Sequence, residues 1–100
     1  MNDKELADRV VALGVGKKID SIYYSWGQQA GKFVRDWRVA GALMEEVHSV
    51  STRCSEILGH DRWDVWVHKY SAAPPTKAYD VSLPRAICEA CVKALEQDNE

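Results

Sequence analysis

Trp63-Asp64-Val65-Trp66-Val67-His68 is the stretch on which the fold class turns. Aromatic and β-branched residues alternate in it with polar ones, the two-residue period of a strand with unlike faces. The alternation puts Trp63, Val65 and Val67 on one face and Asp64, Trp66 and His68 on the other. A tryptophan on each face predicts that helices cover at least part of both sides. Upstream, residues 49–57 are rich in Ser, Thr and Val and can be extended, and Gly59-His60-Asp61 suits a turn. Residues 49–57 and 61–70 therefore read as a β-hairpin whose second strand carries the stronger signal.

Outward from the hairpin the period changes to that of helices. Phe33, Trp37, Ala40, Met44 and Val47 recur at spacings of four and three, which predicts an amphipathic helix over 32–47 with those residues on its buried face. Gly41 inside it costs roughly 1 kcal/mol relative to Ala and suggests a close backbone approach. Leu6, Val10 and Leu13 mark a first helix over 3–13, with Asp3 as N-cap and Gly14 as a left-handed stop. Residues 15–31, with Gly16, Gly27 and Gly31 among Ile19, Ile22, Tyr23, Tyr24 and Trp26, read as loop with room for a short strand at 22–26. Ala72-Ala73-Pro74-Pro75-Thr76 is a rigid connection. A last helix starts from Ser82 with Pro84 in its first turn and buries Ile87, Cys88, Cys91, Val92 and Leu95, while residues 97–100 fray.

These elements predict one α+β domain over residues 1–100, with a small, mainly antiparallel sheet packed between helices in the order α-β-α-β-β-α. The expected core is Leu6, Val10, Phe33, Trp37, Met44, Val65, Val67, Ile87, Cys91 and Leu95. A chain of 100 residues, 46% hydrophobic and 28% charged, supports one packed core and not two. Its formal charge of -2 builds in no general attraction to phosphate or anionic lipid. The polar, acidic start Met1-Asn2-Asp3-Lys4-Glu5 lacks the pattern of a secretory signal and no apolar run approaches spanning length, so the expected location is the cytoplasm. Three cysteines make no disulfide framework.

The blocks Phe33-Val34-Arg35-Asp36-Trp37-Arg38-Val39-Ala40-Gly41-Ala42-Leu43-Met44-Glu45 and Ser82-Leu83-Pro84-Arg85-Ala86-Ile87-Cys88-Glu89-Ala90 resemble the two helical signatures of the phage ABA-sandwich family. The opening helix, residues 5–14, is similar too. The resemblance implies a small sheet between helical layers and encoding by a phage or prophage in a bacterial host. It carries no established activity and no catalytic residues.

Motifs of chemistry are weak. Gly14-Val15-Gly16-Lys17-Lys18 lacks the preceding strand, the glycine spacing and the hydroxyl residue of a phosphate loop. Cys88-Glu89-Ala90-Cys91 has redox spacing but lies inside a helix, where cysteines act as small hydrophobes. Cys54 with Cys88, Cys91 and one of His48, His60 or His68 reaches a zinc-ligand count without a second close pair. No cofactor or metal is expected. His60, Asp61, Asp64 and His68 around the hairpin give the one hydrolase alternative. Enzymatic activity is left undecided, with a non-enzymatic role favoured.

Aromatic residues interleaved with cations remain, and Trp, Tyr and Arg are the types enriched at binding hot spots. Tyr23, Tyr24, Trp26, Arg62 and Trp66 are thus the candidate contact residues for a host or phage protein, with inhibition of a host defence complex as one form of that role. Single-stranded nucleic acid is the alternative ligand, through Lys17, Lys18, Tyr23, Tyr24 and Trp26 or through Arg62, Trp63, Trp66, His68, Lys69 and Tyr70. Interspersed acidic residues weigh against it. No membrane partner is expected, and an exposed Trp66 would indicate a partner or a homodimer.

Overall fold

The computed structural model describes residues 1–13, 17–27, 29–57 and 59–96. The stop expected at Gly14, the Gly14–Gly16 part of the glycine-lysine stretch and the fraying of 97–100 lie outside them. Four helices, α1 (Asp3–Ala12), α2 (Lys17–Ser25), α3 (Ala30–Phe33) and α4 (Trp37–Met44), precede three strands, β1 (Ser49–Ile57), β2 (His60–His68) and β3 (Thr76–Asp80), and α5 (Leu83–Glu96) closes the order. The result is an α+β fold with helices packed against an antiparallel sheet. None of the described helices is long and apolar enough to cross a membrane.

The glycine-containing segment departs from the sequence expectation. It forms α2 instead of a loop with a strand at 22–26, because Ile19, Ile22, Tyr23 and Trp26 fall at i, i+3, i+4 and i+7. Ile19 and Ile22 are buried, Tyr23 packs edge-on against Phe33 at 5.0 Å, and Gly27, at φ 59°, ends the helix. The cap of α1 is also one residue earlier than expected: Asn2 Oδ1 accepts from the Glu5 amide at 2.7 Å, which frees Asp3 for other partners.

The helix expected over 32–47 is two helices. Asp36 is extended, at ψ 124°, and its carboxylate accepts from the Arg38 amide at 2.8 Å, so a new helix starts at Trp37. Phe33 and Trp37 consequently do not share one cylinder. Phe33 is fully buried, whereas Trp37 is 56% exposed and leaves the expected core. Val39, Ala40 and Leu43 are the buried face of α4, and Met44 and Leu95 pack at the margin.

The hairpin forms with a tighter turn than expected, and its second strand starts one residue earlier and ends two residues sooner. β1 and β2 pair from Ser49↔His68 to Ile57↔His60, so His60 and Asp61 belong to the strand, and Gly59 supplies the turn at φ 80°. β3 adds beside β2 with Val65 opposite Ala78 and Trp66 opposite Lys77. Val65, Val67 and Ala78 meet α5, which is buried on most of its circumference. Ala86, Ala90 and Ala94 form one small-residue line on α5, and Ile87, Cys88, Cys91 and Val92 fill the space between sheet and helices. Ser82 begins this helix as expected, its carbonyl accepting from Ala86 at 3.0 Å.

Candidate functional site

Strand alternation decides which side chains share the other face of the sheet. The register groups Ser51, Arg53 and Ser55 of β1 with Arg62, Asp64 and Trp66 of β2 and with Lys77 and Tyr79 of β3. α5 occupies the opposite face, and among the described residues no helix packs on this one, so the cover expected over both tryptophan-bearing sides is not found there. Ser51, Arg53, Lys77 and Tyr79 are exposed, while Arg62, Trp66 and His68 are half-buried among their neighbours.

Aromatic and cationic groups alternate across this face. Lys77 Nζ lies 5.2 Å from the centroid of the Trp66 ring, and the Arg62 guanidinium lies 4.6 Å from that of Tyr79. Asp64 is the carboxylate these three strands place here, and it is only 5% exposed. Arg62 Nη2 approaches Asp64 Oδ1 at 3.1 Å, and the Ser55 hydroxyl donates to Asp64 Oδ2 at 3.4 Å. The Arg62–Asp64 pair is close but misaligned: among the described residues neither Arg62 Nε nor Asp64 Oδ1 has a hydrogen bond of good geometry. What reaches solvent on this face is therefore positive and aromatic.

The five candidate contact residues divide between two places. Arg62 and Trp66 lie on the open face. Tyr23, Tyr24 and Trp26 belong to the helical layer, where α2 packs on α1, α3 and α4. Trp26 donates from Nε1 to Asp36 at 2.8 Å with Lys32 over its ring, and Tyr23 rests on Phe33, so both hold helices together. Tyr24, 72% exposed, keeps a free surface. Arg53, Lys77 and Tyr79 join the site without having been expected there. Period-two spacing from Arg53 and from Tyr79 was the available signal, but β3 buries only Ala78 and shows no apolar alternation.

Other chemistry is dispersed. His60 and His68 stand at opposite ends of a nine-residue strand, roughly 27 Å apart at the usual rise. Asp61 points to the face opposite Asp64, so the hydrolase constellation does not assemble. Cys54 is exposed on β1 whereas Cys88 and Cys91 are buried, and no cluster of metal-ligating residues occurs among the described residues. Burial pushes the Cys88 thiol far up, with the neighbouring Cys91 adding to it, and burial pushes Cys91 up to about 12, so neither has the character of a redox nucleophile.

A second feature lies between α2 and α4. A groove of about 620 Å³ is lined by Lys18, Ser21, Ile22, Arg38, Gly41 and Ala42. A Cβ on Gly41 would meet nothing within 4 Å outside its own helix, so among the described residues no backbone of another element approaches it closely, contrary to the expectation for that glycine. Comparison of the chain with protein-family models, curated proteins and solved structures finds no match.

Proposed function

We propose that this is a non-enzymatic accessory protein of phage or prophage type that binds a negatively charged host or phage macromolecule through the open face of its sheet. The phage element rests on the two helical blocks that resemble the ABA-sandwich family. The binding element rests on one observation: Arg53, Arg62 and Lys77 share a face whose single carboxylate, Asp64, is buried, on a chain whose overall charge is -2. Positive charge is thus segregated against the average of the molecule, which steers an anionic partner to that face and away from the rest.

A second reading is carried by different residues. Tyr24 and Trp37 are exposed, and Trp37 stands one helical turn before Gly41 at the groove between α2 and α4. A tryptophan beside an open groove suits docking of a host or phage protein, a component of a defence complex among them. Capture from host lysate with three baits separates the two. Loss of the captured material with Trp66→Ala and Arg53→Ala, but not with Trp37→Ala, is the expected result. Loss with Trp37→Ala alone would move the function to the helical side.

A further inference from the structure

We infer that the ligand of the open face is single-stranded nucleic acid, its bases stacking on Trp66 and Tyr79 and its phosphates meeting Arg53, Arg62 and Lys77. The inference rests on the proposed binding role of this face and names its partner.

Register carries the first step. Trp66 pairs with Lys77 and Asp64 with Tyr79, so Trp66 and Tyr79 are diagonal neighbours on adjacent strands. Such positions lie about 7–8 Å apart. Successive bases in a duplex are only about 3.4 Å apart along a strand, and their faces are already covered. Two platforms at this separation therefore suit a strand whose bases are splayed, and an antiparallel sheet presenting aromatic residues is an established form of such a surface.

Charge carries the second step. Each ring already has a cation against it, Lys77 at Trp66 and Arg62 at Tyr79. A base laid on either ring brings its phosphate beside a positive group held in place before binding. Arg53 extends the charge to β1, cross-strand from Asp64. Asp64, 5% exposed and taken up by Arg62 and Ser55, offers an incoming phosphate little repulsion. An acidic protein segment would use the three cations equally well, but it would leave the two rings without a role, and for that reason the nucleic acid is favoured.

The test is fluorescence anisotropy with a labelled oligothymidylate of about 12 nucleotides, within the site sizes of single-strand binders. Binding is expected to weaken about tenfold in Tyr79→Ala and in Trp66→Ala, the loss typical of one stacked base. Trp66→Phe is expected to retain most of the affinity, and Tyr79, at 59% exposure, can be removed without disturbing the core. The logarithm of the binding constant is expected to fall against the logarithm of salt with a slope of about -2, and less steeply in Lys77→Ala. Equal binding of an abasic strand of the same length, or no effect of Tyr79→Ala and Trp66→Ala, would overturn the stacking inference. If polyglutamate binds in the strand's place and Arg53→Ala abolishes it, the anion-binding role of the face stands and the nucleic-acid assignment falls. If neither polyanion binds, both fall.

Discussion

Arg85 Nε donates to Asp3 Oδ1 at 2.7 Å, joining residues 82 positions apart. The same guanidinium, 8% exposed, donates to the Met1 carbonyl at 2.7 Å and to Asp80 at 3.0 Å. One side chain thus fastens the start of α1, the end of β3 and the first turn of α5. Since β3 carries Lys77 and Tyr79, the pin also fixes one border of the open face.

Removing a partner from a buried ionic network leaves the other charges uncompensated, which costs about 3 kcal/mol or more. Arg85→Ala is expected to lose about that much in urea unfolding. Arg85→Lys should recover only part, because one ammonium cannot reproduce three directed contacts. A variant as stable as the parent would show that the network does not hold the fold.

Acid should loosen the junction of α3 and α4. The Arg38 side chain, then the Arg38 amide and the Trp26 indole, donate to Asp36 and hold its carboxyl down at about 2. A carboxyl depressed in the folded state stabilises above its unfolded value, 3.8 here, and that contribution disappears as pH falls from about 5 towards 2. The Asp3 carboxyl, lowered chiefly by its hydrogen bond to Arg85, adds to the same window. The urea midpoint is expected to drop through this range and to drop less in Asp36→Asn. An identical acid profile in both proteins would contradict the role of Asp36.

Thiol accessibility separates surface from core. With a thiol reagent at mildly alkaline pH, Cys54 is expected to react at once, and Cys88 and Cys91 only on unfolding, because both are fully buried and hard to ionise. Reaction of all three in the native protein would place α5 outside the core.

Gly41→Ala is expected to stabilise by up to about 1 kcal/mol, the helix preference of alanine, since among the described residues nothing outside its own helix lies within 4 Å of where a methyl group would stand. A destabilised variant would contradict the packing of α2 on α4.

How far the sequence could be read depended on whether local pattern and tertiary contact agreed. The hairpin was legible because Val65 and Val67 alternate with polar residues and end up against α5. α5 was legible from Ser82, Pro84 and its apolar positions. α2 is obscured in the sequence because flanking glycines, which favour turns, mask the i, i+3, i+4, i+7 spacing of Ile19, Ile22, Tyr23 and Trp26. Trp37 falls on the apparent buried stripe because the apolar period runs unbroken across Asp36, whose capping carboxylate restarts the helix. Two residues of the open-face site, Arg62 and Trp66, were visible on a strong strand. Arg53, Lys77 and Tyr79 were not, since their membership comes from strand register, and register is a long-range property that no local window contains.

Residue-resolved NMR during titration with oligothymidylate tests most directly whether the open face of the sheet is the recognition surface. Amide shifts are expected to concentrate at Arg53, Arg62, Asp64, Trp66, Lys77 and Tyr79, together with the indole signal of Trp66, while Tyr24, Trp37 and Gly41 stay unchanged. Shifts centred on α2 and α4 with a silent sheet, or no shifts at ligand excess, would contradict it.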